Sequence, residues 1–185
     1  MIKLENICLS YGGQRVLDNF SLTVPNNGII CLFGPSGCGK TSVARVAAGL
    51  TRADSGKVSG IGLGESAFMF QEDRLFPWLT VRENVETVTD GSHADKLLRA
   101  GGLEDCGDKY PSELSGGMSR RVSLCRALGY EAKLLILDEP FTGMDAELKQ
   151  KLYPIIKAYS ETKPVLLITH DRDEASSLNA EIIEM

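Results

Sequence analysis

A chain of 185 residues, 43% hydrophobic and 24% charged, can bury a substantial core in one domain, with room for a small subdomain. Its net charge of −5 argues against a nucleic-acid surface, which would be basic, and no apolar run approaches the roughly 18–20 residues of a membrane helix. The five cysteines are odd in number, scattered and without a C-x-x-C pair, which fits a reduced cytosolic setting.

The chain opens on Ile2-Lys3-Leu4-Glu5-Asn6-Ile7, whose alternation predicts a strand rather than a signal peptide. Strands are expected over residues 3–10 and 16–24, with Tyr11-Gly12-Gly13-Gln14 as the turn between them. Pro25-Asn26-Asn27-Gly28 turns the chain into a buried strand, Ile29-Ile30-Cys31-Leu32-Phe33. A helix is expected over residues 41–50, with Val43, Val46, Ala47 and Leu50 on one face. After a polar break, the glycine-rich residues 57–64 have room for only a short strand. Residues 66–70 make a better one, ending in Gln71. Residues 72–79 are a loop containing Pro77. Thr80 with Glu83 three residues on has capping-box spacing and starts a helix. A second short helix over about residues 93–100 stops at Gly101-Gly102. Residues 118–128 read as helix, with Val122, Cys125 and Leu128 on a face. Leu134-Leu135-Ile136-Leu137 is the continuous apolar run of a parallel strand covered on both sides. A helix over residues 146–160 has Asp145 as N-cap, and Pro154 inside it should kink or split it. A buried strand over residues 165–168, a short helix over 171–178 and a last strand over 181–185 complete an α/β pattern.

Gly34-Pro35-Ser36-Gly37-Cys38-Gly39-Lys40-Thr41 matches G-x-x-x-x-G-K-[ST], the phosphate-binding P-loop, and lies between a predicted strand and helix. The glycines let successive N–H groups point inward, and the helix N-terminus lies behind them. Lys40 is placed for the β- and γ-phosphates, and Thr41 for Mg²⁺. The nucleotide-binding set is therefore Gly34, Pro35, Ser36, Gly37, Cys38, Gly39, Lys40, Thr41 and Ser42. The second constellation is Asp138-Glu139, two carboxylates at the C-terminal end of a central strand, where open α/β sheets bind ligands. Asp138 is expected to hold Mg²⁺, and Glu139 to polarise the water that attacks the γ-phosphate.

Leu114-Ser115-Gly116-Gly117 is the third constellation. Here the chain resembles the ATP-binding-cassette (ABC) ATPases, whose signature is Leu-Ser-Gly-Gly-Gln. The resemblance covers nearly the whole chain, with the motifs in the family's order; Met118 stands where the family usually has Gln. It implies a P-loop NTPase fold of ABC type with a parallel central sheet, a β-rich edge and a short helical subdomain. The resemblance further implies that residues 1–185 form a single ATPase domain with a helical insert at about 71–126. It also implies a head-to-tail dimer, each ATP held between the P-loop of one subunit and Ser115, Gly116 and Gly117 of the other. By the same resemblance Tyr11 stacks on adenine, and Gln71 senses Mg²⁺ and the attacking water. His170 is the switch histidine at the γ-phosphate, acting with Lys40 and Glu139 in catalysis, and Asp145 lies on the interface loop. The 71–80 stretch, with Phe76, Pro77 and Trp78, is similar to that of bacterial importer ATPases for nitrate, sulfonate and taurine-like anions. The implied cofactors are ATP and Mg²⁺. The implied partners are a second ATPase subunit (a homodimer), membrane permease subunits and, indirectly, a solute-binding protein. The implied location is cytoplasmic, peripheral on the inner face of the membrane. Two alternatives stay open at this point: a non-transport ABC ATPase acting on a soluble complex, and a nucleotide-binding regulatory module without turnover.

Overall fold

The computed structural model describes residues 1–185. Strands β1 (Ile2–Tyr11) and β2 (Gln14–Val24) form an antiparallel hairpin, and β4 (Ser55–Ser59) pairs on the far side of β1. The hairpin turns at Gly12 and Gly13, with φ of 57° and 84°; both values lie in the left-handed region that two-residue turns require. The main sheet is parallel, in the order β5 (Ser66–Met69), β6 (Leu134–Asp138), β7 (Val165–Ile168), β3 (Ile29–Phe33) and β8 (Glu181–Glu184). Six helices connect these strands: α1 (Lys40–Ala47), α2 (Val81–Glu86), α3 (Gly91–Ala100), α4 (Gly116–Gly129), α5 (Ala146–Ser160) and α6 (Arg172–Ser177).

The side-chain period of two divides each central strand between two cores. Cys31, Leu135, Leu137, Val165 and Leu167 enter a cluster of 28 buried residues shared with α2 to α5. Their neighbours Ile30, Leu32, Leu134, Ile136, Leu166 and Ile168 enter a cluster of 18 shared with α1 and the antiparallel sheet. Both faces of β6 and β7 are thus covered, which is why those strands are uninterrupted apolar runs. Each fully buried aliphatic side chain there contributes about 1.5–3 kcal/mol.

The structure departs from the sequence expectations at several element ends. Helix α1 stops at Ala47 because Gly49 takes φ 71° and the Leu50 N–H turns back to the Arg45 carbonyl. Leu50 is therefore exposed rather than on the buried face. The short strand expected within residues 57–64 lies earlier, at Ser55–Ser59, and Gly60 at φ 86° ends it. Helix α4 starts two residues before the expected position, capped by the Ser115 hydroxyl, which accepts from the Met118 N–H at 3.3 Å. Helix α5 has the expected bounds and runs unbroken through Pro154. The proline ring faces solvent, so water can serve the carbonyl it leaves without a partner.

Candidate functional site

Strands β5, β6, β7 and β3 all run in one direction, so their C-terminal ends share an edge. Gln71 follows β5, Asp138-Glu139 end β6, Thr169-His170 follow β7, and Gly34–Thr41 follow β3. A cleft of about 280 Å³ at this edge is lined by Tyr11, Ser36, Gly37, Gly39, Lys40, Thr41, Ser42, Gln71, Asp138 and Glu139, with Val16 and Ile168. Gly34, Pro35 and Cys38 belong to the loop but do not line the cleft. A larger cavity, about 580 Å³, opens beside Met1, Tyr130 and Lys133 and contains none of the motif residues. Size and chemistry therefore point to different places, and the chemistry decides.

The phosphate loop depends on its glycines. Gly39 sits at φ 106°, and a Cβ there would come within 2.9 Å of Leu17. It is also the N-cap of α1, without a side-chain cap and with no acidic residue in the first turn. The first-turn N–H groups and the positive end of the helix dipole are thus left for an anion. The Lys40 ammonium lies across the loop and donates to the carbonyls of Gly34 and Pro35, both at 2.8 Å. Tyr11, at the end of β1, is 45% exposed and forms the outer wall of the cleft.

Asp138 is buried, and its Oδ2 accepts from the Thr41 hydroxyl at 2.8 Å. Burial pushes its carboxyl above the ordinary range, and the Thr41 hydrogen bond only partly opposes this. A desolvated carboxylate beside a hydroxyl, with an amide at the same cleft, is a set of hard oxygen donors suited to Mg²⁺. No group of three or more His, Cys, Asp or Glu side chains is arranged to hold a metal ion by itself. A magnesium ion at this place would take nucleotide phosphates and water to complete its shell.

Glu139 is a non-glycine residue at φ 51°, held by its N–H donating to the Ile168 carbonyl at 2.9 Å. That turn directs its carboxylate to His170, with Oε1 2.9 Å from Nδ1. The hydrogen bond and charge of Glu139 raise the pKa of the exposed His170 imidazole.

Ser115, Gly116 and Gly117 lie at the start of α4 and take no part in the cleft. Ser115 and Gly116 are exposed. A Cβ on Gly117 would come within 3.3 Å of the Gly143 carbonyl, so the signature packs closely on the loop that leads to α5. Asp145 caps α5, its carboxylate accepting from the Leu148 N–H at 2.8 Å. Met118 packs against the larger core, a use that its apolar side chain serves and a glutamine would not. Phe76 and Trp78 point outward, 39% and 70% exposed, with ring centroids 5.6 Å apart.

Sequence reasoning missed Arg120 and Asn84. Arg120 is only 4% exposed, and its guanidinium reaches the backbones that follow β5 and β6. Its signal was a position on the face of α4 that also carries Ser123, Leu124 and Ala127, all buried. Asn84, wholly buried, donates to the carbonyls of Phe76, Leu79 and Thr80 and accepts from the Phe76 N–H.

A model of the family described as "ABC transporter" matches residues 17–142. An aliphatic sulfonates import ATP-binding protein of Pseudomonas savastanoi pv. phaseolicola is 39% identical over 182 residues, covering 95% of this chain and 76% of that protein. A probable sulfate/thiosulfate import ATP-binding protein of Chlorella vulgaris is 38% identical, covering 98% of this chain and 86% of that one. Among solved structures, the ATP-binding cassette MJ0796, in a dimeric post-hydrolysis state bound to ADP and Pi, superposes with a TM-score of 0.90 at 26% identity. The match covers 100% of this chain and 94% of that one.

Proposed function

The chain belongs to the ABC transporter family and is an ATPase of that family, and from this premise we propose that it energises a bacterial importer of a small oxoanion such as a sulfonate, taurine or nitrate. The single observation that carries the chemistry is the convergence of Lys40, Thr41, Gln71, Asp138 and the Glu139–His170 pair at one edge of the parallel sheet.

ATP lays its adenine on Tyr11 and its phosphates in the loop. Lys40 then exchanges the Gly34 and Pro35 carbonyls for β- and γ-phosphate oxygens. Thr41 and Asp138, with Gln71 beside them, would hold a magnesium ion, which would supply neutralising charge on the phosphate oxygens. Glu139 orients and deprotonates the attacking water. Because His170 Nδ1 is engaged by Glu139, Nε2 is left to face the γ-phosphate. The open cleft and the separate, exposed Ser115-Gly116-Gly117 are two halves of one site, which a second copy completes in head-to-tail fashion.

No helix is long and apolar enough to cross a membrane, and the partner in this reading is a set of membrane permease subunits. Phe76 and Trp78 are its docking surface, and the identity of the transported anion lies with the partners. The test is reconstitution with membrane permease subunits in vesicles, with ATP-driven uptake of an aliphatic sulfonate measured against nitrate and sulfate. Trp78→Ala is expected to abolish uptake while leaving ATP turnover by the isolated chain intact. Uptake that survives that substitution refutes the docking role. ATP turnover with no uptake of any of the three anions refutes the substrate class.

A further inference from the structure

The hydrogen-bond ladder between β5 and β6 ends at the Met69–Leu137 pair. Beyond it, Phe70 and Gln71 run on beside Asp138 and Glu139 with no strand pairing between them. A single side chain spans that gap. One terminal nitrogen of Arg120, Nη1, donates to the carbonyls of Phe70 and Gln71, at 2.7 and 2.8 Å, and to the Asp73 carboxylate at 3.2 Å. The other, Nη2, donates to the carbonyls of Asp138 and Glu139, the latter at 2.7 Å. The four N–H groups on Nη1 and Nη2 thus serve five acceptors, and the buried Nε–H has no partner.

We propose that Arg120 is a positioning residue for ATP hydrolysis: it ties the backbones of Gln71 and Glu139 to the signature helix, so that the water-orienting groups and the γ-phosphate contacts of Ser115 move as one body.

Three features support this. The first is energetic. A guanidinium 4% exposed and facing only one carboxylate is costly to bury, and a structural strap alone could be neutral and cheaper. Carbonyl dipoles compensate the charge here only because they converge from two segments at once. The second is conformational. Glu139 sits at φ 51°, a backbone state that persists only when its surroundings fix it. Its N–H is fixed by Ile168, and its carbonyl by Arg120 at 2.7 Å and, at 3.4 Å, by the Thr142 N–H. Losing the shorter of the two carbonyl contacts loosens the turn and lets the carboxylate drift from His170. The third is connectivity. Arg120 leaves α4 little more than a turn after Ser115, the cap of that helix. Displacement of α4 by a partner copy's nucleotide therefore pulls directly on Gln71 and Glu139.

The inference rests on the ATPase reading above, and the experiment separates the two. Steady-state hydrolysis and binding of a fluorescent ATP analogue are measured on the full chain for wild type, Arg120→Gln and Arg120→Lys, below each variant's own thermal midpoint. Arg120→Gln is expected to lower kcat about 10- to 100-fold, the scale of a misplacement of about 1 Å in catalytic groups, with nucleotide affinity within about threefold of wild type. Arg120→Lys keeps the charge with three donors and is expected to recover part of the loss. Wild-type kcat in folded Arg120→Gln overturns the proposal. So does a loss shared equally by kcat and affinity that lysine does not relieve, because that marks a purely structural strap. A wild-type chain that binds ATP and never turns it over overturns the ATPase reading itself, and the Arg120 role with it.

Discussion

Replacing Glu139 by Gln tests the chemistry most directly. The substitution keeps the shape of the side chain and its reach to His170, 2.9 Å away, and removes only the proton-accepting charge. The adjacent carboxylate, Asp138, is 2% exposed and engaged by the Thr41 hydroxyl. The full general-base contribution should therefore be lost, a fall of about 10²–10⁴ in kcat, or roughly 3–5.5 kcal/mol in barrier height. ATP affinity should stay level or rise, because one negative charge leaves the neighbourhood of the γ-phosphate. With hydrolysis blocked and nucleotide retained, a head-to-tail dimer should accumulate. The assay pairs phosphate release with light scattering of the eluting protein in the presence of ATP. Turnover within about threefold of wild type would refute the role of Glu139, and an equal loss of turnover and ATP binding would show that the variant only damages the site.

Three further outcomes follow from the same geometry. If each chain contributes half of two shared sites, specific activity should rise with protein concentration through the dimerisation range; a strictly constant specific activity would rule out the shared site. Alkylation of half-buried Cys38, in the phosphate loop, should block turnover, and ATP should protect that peptide from labelling in mass spectrometry while Cys8 labels regardless. Cys31 and Cys125 should stay unlabelled, because burial pushes their thiols up to about 11 and about 12; equal labelling of Cys38 with and without ATP would remove the idea. In a proton NMR titration, the Glu139 hydrogen bond should hold His170 above the ordinary value of about 6.5, and Glu139→Gln should return it towards that value. The sign for stability follows: a raised histidine pKa contributes fully below about pH 6.5, and the contribution fades as pH rises through the folded value. An unchanged His170 titration in the variant would mean that the pair does not form in solution.

The parts of this fold written in local chemistry were readable from the sequence. Thr80 and Glu83 do form a reciprocal capping box, because both halves lie within one turn. The bounds of α5 followed from Asp145, and the buried strands from their apolar runs. The misreadings came where two local signals competed. Leu50 fits the period of α1, but Gly49 offers a left-handed exit, and the exit won. Pro154 forbids one hydrogen bond, yet on a solvent face that loss is small enough for α5 to continue. Arg120 was out of reach for a different reason. Its acceptors on Phe70 and Gln71 lie 50 and 49 residues away, and only the adjacency of β5 and β6 brings them to its helix. A single sequence shows that an arginine lies on a buried face, but not which carbonyls will meet it.

Asn84 resolves what the exposed aromatics mean. Trp78 at 70% exposure could belong to a loose loop, but the loop is not loose. The wholly buried Asn84 amide donates to the carbonyls of Phe76, Leu79 and Thr80 at 3.1, 3.0 and 2.9 Å, and its oxygen accepts from the Phe76 N–H at 2.8 Å. Arg126, from α4, donates to the Arg74 carbonyl at 2.9 Å, with its guanidinium carbon 5.5 Å from the centre of the Phe76 ring. The segment is thus stapled from α2 and α4 through the backbone groups of Phe76, Leu79, Thr80 and Arg74, and the rings are held outward on that frame. A rigid frame lowers the ordering cost of binding, so a partner that covers Phe76 and Trp78 gains most of the apolar burial as affinity. The same frame adjoins the catalytic edge of the sheet, because Asp73, three residues before Phe76, accepts from Arg120, whose guanidinium also donates to the carbonyls of Gln71 and Glu139.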